Sequence, residues 1–218
     1  MFSAVCFRMP RPLLLLVLCA LPAALSAQAH RYPAFQVPTA SHRDFTGGVA
    51  AGGGATLIGQ WRESIRPGAH WQLEAGIADS RGADPLLFVG GGVGAELLRA
   101  RADQPLDLLL TAGLGVAVGS GTTWRLPVGV SAGHTIALDE GMAITPFVHP
   151  RLSLDGCGRC RRDDDSQLTL SVDVDLGAQW RVREALALTA ALAFSGSAVV
   201  PNEPMLGVAI RWTPAALR

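Results

Sequence analysis

QLTLSVDVDLGAQWRV, residues 167–182, alternates without a break. Leu168, Leu170, Val172, Val174, Leu176, Ala178, Trp180 and Val182 share one parity, and Gln, Thr, Ser, Asp, Asp, Gly, Gln and Arg take the other. A period of two marks an extended strand whose successive side chains point to opposite faces. At roughly 3.3 Å per residue such a stretch reaches about 50 Å, far beyond the five or six residues of an ordinary strand. One face is wholly apolar, and the fold turns on what that face touches.

The same pattern fills most of the chain. It recurs in FTGGVAAGGGATLIGQW (45–61), HWQLEAGIA (70–78), LLFVGGGVGAELL (86–98), LDLLLTAGLGVAV (106–118), TWRLPVGVSAGHTIAL (123–138), MAITPFVHPRLSL (142–154), ALALTAALAF (185–194) and MLGVAIRW (205–212). Turn-forming clusters separate them: RPG at 66–68, SRGADP at 80–85, RADQP at 101–105, GSGT at 119–122, DEG at 139–141 and PNEP at 201–204. No segment carries a helical period of useful length, so the expectation is an all-β chain of hairpins.

The first 29 residues have the layout of an export signal. Arg8 and Arg11 supply charge, LLLLVLCALPAAL (13–25) an apolar run, and Ala27-Gln28-Ala29 a small-x-small cleavage site before His30. The run is too short for a membrane anchor. An N-terminal arm, HRYPAFQVPTASHR (30–43), follows with two prolines and no period. The alternating region spans 44–213, and 214–218 forms a short C-terminal tail.

Composition narrows the class. There are 18 Lys+Arg against 18 Asp+Glu, every one of the 18 being arginine, and losing Arg8 and Arg11 with the leader gives a formal charge of about −2. That balance excludes a basic nucleic-acid surface. A soluble β-protein guards its solvent face and edges with Lys and Glu, whereas here lysine is absent and Gly reaches 25.

A soluble barrel or sandwich would turn the apolar face inward around a hydrophobic ligand; a membrane barrel would turn it to lipid. Three features favour lipid. The other face is mostly Gly, Ala, Ser and Thr with scattered charges, which suits a narrow interior. Phe45, Trp61, Trp71, Trp124, Trp180 and Trp212 lie on the apolar face near strand ends, where an interfacial girdle would sit. Long strands with nothing to blunt an edge call for closure. The expected fold is an antiparallel up-and-down transmembrane β-barrel of 8–10 strands. Splitting the segment 45–62 at Gly52-Gly53-Gly54 gives ten and leaving it outside the wall gives eight, with ten preferred.

With its export signal, its Gly-rich stretches FVGGGVGAEL and LTAGLGVAVG, and a last strand LGVAIRW bearing a near-terminal aromatic, the chain resembles the outer-membrane β-barrel domain families of small porin-like or adhesion-type barrels over residues 44–213. The resemblance implies the outer membrane of a Gram-negative-type cell, lipid as the surrounding partner, and barrel assembly machinery as the partner during insertion. In those families the terminal aromatic is the assembly signal; here TPAALR follows it.

Glu74, Glu96, Asp107, Arg125, His149, Arg151, Asp173, Asp175, Arg181 and Arg211 fall on the inward parity. Isolated charges in a narrow lumen are costly, so acids and arginines are expected to pair across it, plugging the barrel or lining a path for small solutes. Cys157-Gly-Arg-Cys160 is expected to close a small disulfide in an oxidising compartment. Zinc would need two more ligands, from His149 or Asp163–Asp165, and redox chemistry would need a helix N-terminus. Asp163-Asp164-Asp165 after Arg161-Arg162 is expected to be a solvated loop tip rather than a calcium or lipopolysaccharide-phosphate site. For an outer-membrane lipid-modifying enzyme, Ser131 and His134 have opposite parity, Ser153 lies about 13 Å along the strand from His149, and no G-x-S-x-G occurs. No catalytic residue, metal or cofactor is expected.

Overall fold

The computed structural model describes residues 32–80, 85–158, 167–197 and 203–214. The leader 1–29 and the Arg161–Asp165 run lie outside the described residues. The described chain forms β1 (Arg43–Ala51), β2 (Gly54–Arg66), β3 (Ala69–Ser80), β4 (Leu86–Leu98), β5 (Asp107–Val118), β6 (Thr122–Gly133), the two-residue β7 (Ile136–Ala137), β8 (Ala143–Gly158), β9 (Gln167–Arg183), β10 (Leu186–Ser195) and β11 (Met205–Trp212). Each long strand pairs antiparallel with the next, β6 pairs with β8, and β1 pairs with β11 from Phe45↔Trp212 to Ala51↔Leu206. That last ladder closes the ring. β7 prolongs the line of β6 against β8, so ten strands make the wall. The segment 45–62 does split at its glycines, between Ala51 and Gly54.

One end of the barrel, here the base, carries the start of β1, the end of β11 and the tight turns at 67–68, 139–141 and 184–185. Gly68 (φ 76°) and Gly141 (φ 77°) take the left-handed conformation those turns require. The opposite end, the rim, carries the β8–β9 hairpin. With 16 and 17 residues these strands exceed the roughly 9–11 that cross a bilayer; β8 stays paired with β6 up to Thr122↔Gly158, while β9 runs on beyond its last pair with β10, Asp173↔Ser195. Cys157 lies near its tip, 2% exposed and disulfide-bonded; Cys160 lies outside the described residues.

The alternation resolves with the apolar face outward. More than thirty large apolar side chains are exposed, among them Leu57 at 59%, Val89 at 58% and Leu170 at 70%. A contiguous apolar belt of this extent is incompatible with water as the solvent. At the base Phe45 stacks on Trp61 and Trp212, at ring centroid distances of 6.2 and 5.8 Å, and Trp61 meets Trp71 edge-on at 4.7 Å. Trp180 lies toward the same end and Trp124 toward the rim.

Candidate functional site

The lumen is filled. Residues 32–38 of the arm run inside the barrel, with Tyr32 and Phe35 each 1% exposed and Val37 2%. The arm enters from the base, just before Arg43, and reaches the apolar interior of Ile58, Phe88, Phe147, Met205 and inward-facing alanines. Tyr32 stacks on Phe88 at 5.2 Å, with its hydroxyl facing the Glu74 carboxylate.

Two glycines make room for Phe35. A Cβ on Gly207 would lie 2.8 Å from the Phe35 ring and 2.9 Å from Pro33, and one on Gly48 would lie 3.1 Å from the same ring. Phe35 itself takes φ 49°, a left-handed kink that a non-glycine residue adopts only where its surroundings hold it.

The wall satisfies the arm's backbone. The Ala34 N–H donates to Asp175 Oδ2 (2.9 Å), Gln60 Nε2 donates to the Ala34 carbonyl (3.2 Å), Arg62 Nη2 to the Phe35 carbonyl (3.2 Å), and Ser131 Oγ to the Gln36 carbonyl (2.7 Å). Near the base, the Ala40 N–H donates to Glu96 Oε1 (2.9 Å) and the Ser41 N–H to His70 Nδ1 (3.3 Å). Buried main-chain groups need such partners, and Pro33 and Pro38 bring no N–H that would need one.

Among the described residues, the buried ion pairs form three groups. Toward the rim, Arg125 holds Asp155 through Nε (2.8 Å) and Nη2 (3.2 Å), and reaches past β8 to Asp173 on β9 (2.5 Å). Ser153, Ser171 and Ser197 also donate to Asp155, saturating its carboxylate. At mid-depth Arg151 pairs with Asp175 (2.7 Å), and His149 lies between Asp175 (3.7 Å) and Thr111 Oγ1 (2.9 Å). At the base Asp44 sits between Arg62 (3.5 Å) and Arg211 (3.8 Å).

Pairing is mainly between neighbouring strands rather than across the lumen. Arg125 is the register partner of Asp155, and His149 of Asp175. Adjacent strands are only about 4.8 Å apart, so these side chains meet along the wall while the arm occupies the middle.

Of the residues expected inward, Arg125, His149, Arg151, Asp173 and Asp175 come together on β6, β8 and β9. Arg211 joins the base group and Glu74 faces Tyr32. Glu96 and Asp107 serve the base instead: Glu96 binds Arg99 and Ala40, and Asp107 accepts the Ala100 N–H (2.7 Å). Arg181 is exposed near the base end of β9 and stands outside the groups.

Asp44, Arg62, His70, Thr111 and Asp155 were not singled out from the sequence. Parity marks Asp44 and Arg62, since Asp44, Thr46, Gly48 and Ala50 alternate inward on β1 as Thr56, Ile58, Gln60 and Arg62 do on β2. The buried arm had a fainter signal, the apolar and aromatic content of RYPAFQVP.

A closed antiparallel ring with an apolar exterior and no free sheet edge meets the backbone requirement of a membrane-spanning sheet. It has the fold of an outer-membrane-type β-barrel. No family model matches the chain, and no curated protein matches it either. Among solved structures, the barrel is similar to a bacterial polysaccharide outer membrane secretin, at 7% identity and TM-score 0.49, over 74% of this chain and 57% of that one. It is similar to the β domain of the Bordetella autotransporter BrkA, at 11% identity and TM-score 0.47, over 78% and 98%. Likewise it is similar to the KdgM porin, at 6% identity and TM-score 0.41, over 78% and 99%.

Proposed function

We propose that this chain is an exported outer-membrane barrel that seals its own lumen and serves the envelope as a structural element, without catalysis. The observation that carries the reading is the burial of residues 32–38 inside the ring. Beside the arm, between His149, Arg151, Thr111 and Gln36, there is an internal cavity of about 30 Å³, room for a water molecule or so and for no larger solute.

The same confinement argues against an enzyme. Asp175, His149 and Thr111 stand in the order carboxylate, imidazole, hydroxyl, an arrangement that can activate a nucleophile when a substrate reaches it. Here, among the described residues, the arm lies against it and the cavity beside it holds only about 30 Å³. Charges paired between neighbouring strands fit a wall held rigid from within.

The test is planar-bilayer conductance of the purified full chain, with membrane fractionation of the exporting cell. The reading expects recovery in the outer membrane and no resolvable channel steps. Stable ohmic steps would replace it with a solute-passing barrel, and recovery as a soluble protein would remove the membrane assignment.

A further inference from the structure

We propose that the lumen is a peptide-binding channel, and that the arm is its ligand held in cis. The ligand class is a segment entering from the base, kinked at the second of two aromatic side chains three residues apart, with prolines at 33 and 38 that bring no N–H to be satisfied. This goes beyond sealing, which any apolar filler would achieve.

Three independent features support it. The wall addresses main-chain atoms: Asp175, Gln60, Arg62 and Ser131 reach the N–H of Ala34 and the carbonyls of Ala34, Phe35 and Gln36. Such contacts recognise the path of the main chain whatever its side chains. The side-chain contacts are shape-selective, because a Cβ on Gly207 would lie 2.8 Å from the Phe35 ring and one on Gly48 would crowd it at 3.1 Å. Tyr32 is placed by both a ring and a carboxylate, Phe88 and Glu74. Backbone contacts supply affinity, and the two aromatic subsites supply specificity.

Geometry also sets the route of entry. The arm meets the base at Ser41 and Ala40, through His70 and Glu96, and extends inward from there. His42 is exposed at that mouth, so the link between arm and wall is accessible. A segment of the same chemistry from a second copy of this chain would enter by the same mouth.

The experiment uses the full chain with a protease recognition sequence inserted between Ser41 and His42, folded in detergent and then cut. The proposal expects the severed arm to stay with the barrel through gel filtration, and a labelled synthetic peptide of residues 32–41 to exchange into its place. The same peptide carrying Phe35→Ala should compete more weakly by at least roughly tenfold, since it loses a fully buried ring, and a scrambled peptide should not compete. In the uncut chain the labelled peptide should not bind, because the site is filled in cis.

Two results overturn the proposal: a severed arm that separates from a still heat-modifiable barrel without being replaced by peptide, or a scrambled peptide that competes as well as the native one. Unfolding of the barrel on cutting would overturn it too, by showing that the arm is an integral strut rather than a ligand. The sealed-barrel reading fails separately, by conductance of the uncut chain.

Discussion

The two sides of the lumen solve the same problem differently. On β6, β8 and β9 the inward positions include the charges that pair with one another, Arg125 with Asp155 and Asp173, Arg151 with Asp175. On β1, β10 and β11 they are mostly small, and the space goes to Phe35 and Pro33 of the arm. The outer faces of both sides are alike, leucine and valine in the same alternation. A common exterior therefore constrains the interior only in parity, and the interior can be stiffened by ion pairs or carved to receive a segment.

The comparison is broken most severely on the charged side. Arg125→Ala leaves Asp155 and Asp173 buried without their cation, and should cost about 3–5 kcal/mol in urea unfolding of the reconstituted protein. Double replacement with Asp173→Asn should recover part of the loss. Next in size is a charge on the shared exterior. Val208→Arg, near mid-depth of the belt, should cost about 2–4 kcal/mol in bilayers, and the same change at Leu97 near the base about 0–1 kcal/mol; equal costs at both depths would deny the belt.

On the small-residue side, Gly207→Val fills the space of Phe35 and should cost about 1–3 kcal/mol. Its effect should be local. Amide exchange of residues 34–37 should rise while the β8–β9 ladder stays protected, and a uniform rise along both sides would erase the distinction drawn here. The smallest effect belongs to the Arg43–Glu63 pair at the base, with side chains 36% and 24% exposed. Glu63→Gln should change stability by about 1 kcal/mol or less, and less still at high salt.

The wall was legible in the sequence because strand parity is a local property. Leu168 to Val182 share a face whatever surrounds them, and the split at Gly52 and Gly53 follows from glycine at a turn. The inward charges were legible for the same reason. Their partners were not, since register decides that Arg125 meets Asp155, and register depends on how far each hairpin slides against the next. Arg181 shows the limit of parity, which gives a direction but no depth. The arm was hidden more deeply: RYPAFQVP has no period, and only the closed ring creates the space that takes Tyr32 and Phe35.

The claim on which the rest depends is that the apolar face meets lipid, and the chain's 5 tryptophans, all on that face, report on it. The direct measurement is quenching of their fluorescence in vesicles by lipids brominated at graded depths along the acyl chain. The account predicts strong quenching that is greatest for bromines nearest the headgroup, because most of these rings cluster toward the base. Fluorescence untouched by bromine at any depth and quenched freely by aqueous iodide would contradict a lipid-facing barrel.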